Sequence, residues 1–309
     1  MCTMSERLYG LYKRTFLLMF IMAAVIGCAG EETIALTSVA QSVQPTATVI
    51  PTALAETPLP EPTVMEVGED EPTAAPTATV APTDEPVPTV EPVAFSAEPR
   101  TVTFQTGDDL KLIGTFYPAG GTGPSPTVLL LHMLNGNREV WTELAAELNA
   151  NGYNALALDM RGHGETGGGH DWELARADHL MVMNELTAFP EVDPLHNAII
   201  GGSIGSNMAL ILGKDMPPLV KTVALLSPGL DYRGVTTDDA IGAYGDRPIL
   251  MVASSEDGYS ADSSRQLTQL ALNGELIMYD GAGHGTEMLA NQPELAQTLI
   301  DWLNAHISN

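Results

Sequence analysis

The 309-residue sequence contains only two cysteines, Cys2 and Cys28, and both lie near its N-terminus. The rest of the chain therefore has no cysteine pair that could form a disulfide or a zinc site. About 210 residues at the C-terminal end are enough to form one hydrophobic core without such cross-links. We predict a domain that is stabilised by packing alone.

Basic residues are also scarce. The sequence has 13 Lys and Arg against 39 Asp and Glu, which gives a formal net charge of −26, and none of the basic residues lies between Arg14 and Arg100. A strongly acidic protein is repelled by phosphate backbones and by anionic lipid headgroups. We therefore predict no nucleic-acid partner and no electrostatic adhesion to a membrane.

The N-terminal apolar run is too short to span a bilayer, which takes about 20 residues. It covers residues 15–26, directly after Lys13 and Arg14, and is followed by Gly27 and Cys28. A basic start, a short apolar stretch and a small residue before the cut are typical of a secretory signal peptide. The cysteine after the cut resembles a bacterial lipobox. We predict a lipoprotein signal peptide over 1–27 and lipid attachment at Cys28, the alternative being an ordinary unmodified cysteine.

Residues 28–98 differ in composition from everything that follows. Pro-Thr pairs recur at irregular intervals, separated by alanine, valine and acidic residues. Such a segment cannot bury enough apolar surface to offset its chain entropy, so we predict a disordered tether. With diacylated Cys28 at its start, it would attach the domain over residues 99–309 to the extracytoplasmic side of the cell membrane.

A serine motif lies in the middle of this domain. Residues 201–205 read Gly-Gly-Ser-Ile-Gly, after an apolar run typical of a buried strand and before a run typical of a helix. A serine on a sharp strand-to-helix turn has its hydroxyl exposed above a helix N-terminus, and the flanking glycines avoid collisions there. Ser203 is therefore a candidate nucleophile. The alternative is a glycine- and serine-rich loop without chemistry.

Two later strand patterns end in candidate partners for this serine. The apolar run 248–253 is followed by Glu256 and Asp257, and the run 275–279 is followed by His284 between two glycines. Ligands of open α/β sheets bind at the carboxyl ends of the strands, so these side chains are expected near Ser203. His132 and His163 are interpreted as structural. The remaining histidines lie in loops or helical patterns: His170, His179, His196 and His306.

No cofactor or metal site is predicted. The histidines lack the spacing of metal ligands, and the glycines at 167–169 are not followed by the lysine and helix of a phosphate-binding loop.

From about residue 100 onwards the sequence resembles the α/β-hydrolases, closest to their dienelactone-hydrolase-like and serine-aminopeptidase-like branches. The similarity includes the residues 131–141, the run 159–164, the serine motif and the glycine-flanked His284. It implies a mainly parallel sheet of the eight-stranded type, flanked by helices. The resemblance is specific for the fold and not for the substrate, because this fold hosts many activities.

The resemblance also implies roles. The acid precedes the histidine in this fold, and the usual spacing favours Asp257, with Glu256 as the alternative. His284 would accept the proton of Ser203, and Asp257 would orient the imidazole. The backbone N–H groups of Met133 and Ile204 would form the oxyanion hole, and the Met133 side chain would contact the substrate.

The pattern of the chain agrees with this fold. A hairpin is predicted over 101–117, followed by alternating strands and helices. Only about twenty residues separate the strand ending near Ser227 from the one starting at Pro248, which leaves room for a loop and a short helix and predicts an open site. Strands are expected near 127–131, 154–158, 197–201, 220–226, 248–253 and 275–279, and helices near 138–151, 172–188, 204–213, 261–272 and 287–307.

These observations favour a monomeric serine hydrolase that cleaves small esters, thioesters or lactones through an acyl-enzyme on Ser203. Two alternatives stay open. One is a peptidase of the serine-aminopeptidase type, in which Glu165 or Asp171 would bind a free amino terminus. The other is a non-catalytic binding module on a hydrolase scaffold.

The lipid anchor is tested by replacing Cys28→Ser. The change removes the thiol that would be acylated, so the protein is expected to lose lipid labelling and the lipoprotein-type cut before residue 28. Metabolic labelling with a fatty acid and detergent phase partitioning measure both. A Cys28→Ser protein that is processed normally and stays as firmly bound to membranes would contradict the prediction.

Overall fold

The computed structural model describes residues 94–308. The predicted signal peptide, Cys28 and the tether up to residue 93 lie outside this range. The described part contains ten strands, seven α-helices and a short 3-10 helix at Arg138–Trp141. The strands are β1 (Arg100–Gln105), β2 (Lys111–Tyr117), β3 (Ser125–Leu131), β4 (Asn154–Asp159), β5 (Val192–Gly202), β6 (Val220–Leu226), β7 (Asp231–Tyr232), β8 (Val235–Thr236), β9 (Ile249–Ser254) and β10 (Gly274–Tyr279).

The helices alternate with the strands from β3 onwards. None of the helices between residues 94 and 308 combines the length and apolar character needed to cross a bilayer. They are α1 (Thr142–Ala150), α2 (Trp172–Leu186), α3 (Ile204–Asp215), α4 (Asp238–Ala243), α5 (Gly258–Leu270), α6 (Glu287–Asn291) and α7 (Glu294–His306).

Eight strands form one sheet in the order β1-β2-β4-β3-β5-β6-β9-β10. The pairs β1–β2 and β2–β4 are antiparallel, and every other pair in this order, from β4–β3 to β9–β10, is parallel. Strands β4 and β9 are buried along their whole length, as expected of parallel strands covered on both faces. The predicted mainly parallel eight-stranded sheet is confirmed.

The core has two layers, one on each face of the sheet. Alternate residues of β3 point to opposite layers: Leu129 and Leu131 pack with α2 and α3, whereas Val128 and Leu130 pack with α1 and α7. This alternation is the two-residue period of a β-strand. Helices therefore cover both faces of the sheet and fix the positions of its central strands. The loops that follow the carboxyl ends of these strands start from fixed points.

The helix expected over 138–151 begins as the 3-10 helix Arg138–Trp141 and continues as α1, and two other predicted helices differ in their boundaries. The single helix expected over 287–307 is divided into α6 and α7, because Pro293 lacks an N–H and restricts Gln292, whose φ of −129° and ψ of 87° are not helical. The helix expected from 261 begins at Gly258, immediately after Asp257.

The short segment between β6 and β9 contains more structure than expected. The predicted short helix is α4, and a two-stranded hairpin of β7 and β8 precedes it. We call this pair of strands the cap hairpin. It lies between β6 and α4.

The glycines around Ser203 allow close contact between α3 and the sheet. A Cβ on Gly201 would overlap the carbonyl oxygen of Gly205, and a Cβ on Gly205 would overlap the carbonyl oxygens of Leu131 and His132. Backbone atoms cannot move aside as side chains do. These glycines are therefore required by packing.

Replacing Gly205→Ala should destabilise the protein, because the added methyl group forces α3 away from the end of β3. Overpacking of this kind costs about 1–3 kcal/mol in the free energy of unfolding, which chemical denaturation measures. Gly242→Ala in α4 is the control, since a Cβ there meets nothing within 4 Å. Equal stability of the two variants would contradict the packing argument.

Candidate active site

Ser203 occupies the sharp turn between β5 and α3. Its φ of 52° and ψ of −121° lie in a region that L-residues rarely adopt. The turn is fixed by the hydrogen bond that Ser203 N donates to the Leu226 carbonyl oxygen over 2.8 Å. Backbone strain at a single serine, held by its surroundings, is a feature of functional sites.

His284 lies in the loop between β10 and α6, directly beside Ser203. Its Nε2 is 2.7 Å from Ser203 Oγ, and its Nδ1 is 2.5 Å from Asp257 Oδ2. The three side chains thus form one continuous hydrogen-bonded chain. His284 keeps 38% of its side chain exposed, so the site is open to water and to a ligand. The structure brings together the three residues that the sequence analysis singled out.

The two candidate acids have different contacts. Asp257 reaches His284, whereas Glu256 turns away: its Oε2 accepts hydrogen bonds from Gly281 N over 2.6 Å and from Ser254 Oγ over 2.8 Å. The Gly281 N–H, followed by the Ser254 hydroxyl, lowers the pKa of Glu256 to about 2. Glu256 therefore ties the ends of β9 and β10 together and does not contact the imidazole.

The carboxyl group of Asp257 is ionised at neutral pH. Burial raises its pKa, but hydrogen bonds from His284 and Ser260 outweigh this effect and bring the pKa below its ordinary value. An ionised carboxylate beside Nδ1 favours the tautomer in which Nδ1 carries a proton and Nε2 can accept one.

The candidate oxyanion donors flank Ser203 on the side of β3. A Cβ built on Gly285 would lie 3.2 Å from Met133 Sδ and 3.5 Å from Ser203 N, so both residues border the same small space. In the part of the chain that the structure describes, the Met133 N–H donates to no protein acceptor. Ile204 is the first residue of α3, where backbone N–H groups have no intrahelical partner.

His132 fixes the loop that contains Met133. It is fully buried, its Nδ1 donates to the Met133 carbonyl oxygen over 2.8 Å, and its Nε2 accepts from Met160 N over 3.1 Å. Burial lowers its pKa to about 4, so the ring is neutral. This supports the structural role that was predicted for it.

Of the histidines in α2 and the loop before it, His163 and His179 are buried and His170 is exposed, and none of them forms a hydrogen bond with Ser203. His163 contacts the His132 ring at 4.8 Å and stacks on His170 at 4.5 Å. His179 is buried, and burial lowers its pKa to about 3. Among residues 94–308, no group of three or more His, Cys, Asp or Glu side chains is arranged to bind a metal ion.

Three residues near the site were missed by the sequence analysis: Ser227, Tyr232 and Ser260. Ser227 is buried with a φ of 53°, and its hydroxyl accepts the Gly285 N–H over 2.9 Å. A serine at the carboxyl end of β6 was a usable signal, because ligands of such sheets lie at that edge. The sequence contained no such signal for Tyr232, because no motif indicates that the cap hairpin packs against His284.

A family model described as the alpha/beta hydrolase fold matches residues 126–243, from β3 to α4. Together with the strand order, this decides the architecture. The chain has the α/β-hydrolase fold. The structure is similar to dienelactone hydrolase from Anabaena variabilis, with a TM-score of 0.55 and 18% identity over 68% of this chain and 98% of that one.

Sequence relatives extend the comparison. An uncharacterized protein of Mycobacterium tuberculosis, Rv2307c, is 29% identical over 214 residues, which are 63% of this chain and 74% of that protein. Esterase FrsA of Yersinia enterocolitica is 28% identical over 134 residues, 42% of this chain and 32% of that esterase. Fold and relatives together support a hydrolase.

The different contacts of Asp257 and Glu256 predict different effects of replacing them. Asp257→Asn should lower kcat by about 10³- to 10⁴-fold, because an amide at this position holds the imidazole in the wrong tautomer. Glu256→Gln should lower kcat only a few-fold. Hydrolysis of a chromogenic ester measures both, and a larger loss in Glu256→Gln would reverse the assignment.

Proposed function

We propose that this chain is a serine hydrolase that cleaves small ester, thioester or lactone bonds through an acyl-enzyme on Ser203. The hydrogen-bonded chain from Ser203 through His284 to Asp257 is the observation that supports it most strongly. The roles follow from the geometry: Ser203 as nucleophile, His284 as general base and acid, and Asp257 as the group that orients the imidazole.

In the proposed first step, Ser203 Oγ attacks the carbonyl carbon while its proton moves to His284 Nε2. The carbonyl oxygen becomes an anion and accepts hydrogen bonds from the N–H groups of Met133 and Ile204. The carbon–oxygen or carbon–sulfur bond then breaks, and His284 returns the proton to the leaving group. Water then attacks the acyl-enzyme while His284 Nε2 takes one of its protons. The bond between the acyl carbon and Ser203 Oγ breaks, and His284 returns the proton to Oγ, which releases the acid and restores Ser203.

The imidazolium that forms in each step lies beside an ionised carboxylate. Because the pKa of Asp257 is below its ordinary value, the carboxylate keeps its charge when the imidazole gains a proton, which stabilises the transition state. The chemistry uses protein groups and water, and it needs neither a metal ion nor an organic cofactor.

The short segment between β6 and β9 is an argument for small or exposed substrates. Between β6 and β9 the chain adds only the cap hairpin and α4, and His284 is 38% exposed. Met133 is half-buried next to Gly285, where its side chain would contact an acyl group. Such a site accepts a substrate directly from solution.

The contacts of Glu165 and Asp171 do not favour the peptidase. Glu165 forms an ion pair with Arg138 over 2.9 Å, and Asp171 accepts a hydrogen bond from Leu174 N at the start of α2. Each carboxylate thus has one oxygen in a structural contact, which would compete with a substrate amino group. The acyl-ester reaction requires neither carboxylate.

We further propose that the hydrolase domain works as a monomer at the outer side of the cell membrane, anchored through diacylated Cys28. This proposal rests on the composition of residues 1–98. The catalytic groups all lie beyond residue 130, so the anchor and tether would supply location and the domain would supply chemistry.

Replacing Ser203→Ala tests the mechanism. Ester hydrolysis should fall by at least about 10⁴-fold, because only the oxyanion hole and substrate binding remain, and labelling by a fluorophosphonate probe should disappear. Thermal unfolding should be nearly unchanged. A panel of nitrophenyl esters and aminoacyl nitroanilides then separates the esterase from the peptidase.

The same panel can overturn the proposal. Near-normal ester hydrolysis by Ser203→Ala would exclude the acyl-enzyme, and an unmodified chain that neither binds the probe nor cleaves any substrate would indicate a binding module. Faster cleavage of the nitroanilides than of the esters would favour the peptidase.

A further inference from the structure

Tyr232 of the cap hairpin lies against the histidine of the site. Its ring is 6.2 Å from the His284 ring, centroid to centroid, at an interplanar angle of 86°. This edge-to-face contact is a favourable arrangement of two aromatic rings. The ring of Tyr232 therefore borders one side of the imidazole and limits its rotation.

The hydroxyl of Tyr232 contacts two other residues. It donates a hydrogen bond to the Ser227 carbonyl oxygen over 3.1 Å and lies 2.8 Å from Ser260 Oγ. Burial raises the pKa of the phenol above its ordinary value, so the phenol keeps the proton that it donates to Ser227, and the Ser260 hydroxyl can donate to the phenol oxygen.

Ser227 and Ser260 are each connected to a segment that contains a catalytic residue. Ser227 Oγ accepts the N–H of Gly285, the residue after His284. Ser260 is fully buried in the first turn of α5, the helix whose N-cap residue is Asp257. One phenol thus connects the loop of the histidine with the helix that follows the acid.

The cap hairpin is held firmly enough to place this ring. The Tyr259 hydroxyl accepts a hydrogen bond from Asp231 N over 2.8 Å and donates one to the Asp231 carbonyl oxygen over 2.9 Å. A Cβ on Gly229 would lie 2.7 Å from the Tyr232 ring and 2.8 Å from that of Tyr259. The absence of a side chain at Gly229 lets both rings pack at the start of α5.

We propose that Tyr232 is a positioning residue that holds Asp257 and His284 in their reactive arrangement, an inference that rests on the function proposed above. Tyr232 transfers no proton in this scheme. It acts through Ser227 on one side and Ser260 on the other, so that the cap hairpin stabilises the catalytic chain as well as covering it.

The experiment compares Tyr232→Phe with Tyr153→Phe in the full-length protein. Tyr153 directly precedes β4, at the opposite edge of the sheet from Ser203, and its hydroxyl donates a hydrogen bond to Asn304 Oδ1 over 2.7 Å. Each variant loses one hydrogen-bonding hydroxyl and keeps its ring. For Tyr232→Phe we expect kcat to fall about tenfold with KM within about twofold, because a small displacement of a catalytic group slows the chemical step without weakening binding. For Tyr153→Phe both constants should stay within about twofold.

A spectroscopic measurement separates positioning from general stability. A proton shared between His284 Nδ1 and Asp257 gives a far-downfield NMR resonance, and in Tyr232→Phe this resonance should shift or broaden at a temperature where the protein is fully folded. Ser260→Ala removes the partner of the phenol beside Asp257 and should lower kcat in the same way. If Tyr232→Phe does not fold, the kcat of Ser260→Ala tests the positioning role in its place.

Two results would contradict different parts of the proposal. If Tyr232→Phe equals Tyr153→Phe in kcat and in the downfield resonance while Ser203→Ala is inactive, the positioning role is wrong and the proposed function stands. If Ser203→Ala keeps its activity, the proposed function itself fails. A fall in kcat for Ser260→Ala and Tyr232→Phe, with Tyr153→Phe unchanged, supports the inference.

Discussion

The close approach of α3 to the end of β3 is the contact on which the site depends. The carbonyl oxygens of Leu131 and His132 touch the helix at Gly205, and this contact fixes the distance between the serine turn and the Met133 loop. Two backbone donors on different elements can converge on one oxygen only if that distance is short. The buried, neutral His132 then keeps the Met133 loop in place through hydrogen bonds on both of its ring nitrogens.

Much of this arrangement could be predicted from the sequence because it depends on short local motifs. The serine turn needs glycine on both sides, and His284 follows a strand between two glycines with φ of 83° and 58°. The order of these motifs along the chain is enough to predict the sheet and the edge where the side chains meet. Glu256 and Asp257 are adjacent, however, and only the direction of each side chain separates them.

Other features could not be predicted, since they depend on contacts between distant segments. Tyr232 meets Ser260 across 28 positions of sequence, and Ser227 meets Gly285 across 58. No periodicity or motif encodes such pairs. The break between α6 and α7 is a different case: Pro293 was a visible signal, and the continuous apolar pattern of the two helices obscured it.

The position of His284 at the end of the outermost strand has a consequence for how the protein would lose activity. β10 pairs only with β9, and most of its residues are half-buried, whereas the serine follows β5 in the middle of the sheet. Edge elements open locally with lower free energy than central ones. Heat or mild denaturant should therefore detach the base before the nucleophile, leaving a compact protein with an intact serine turn and no proton acceptor beside it.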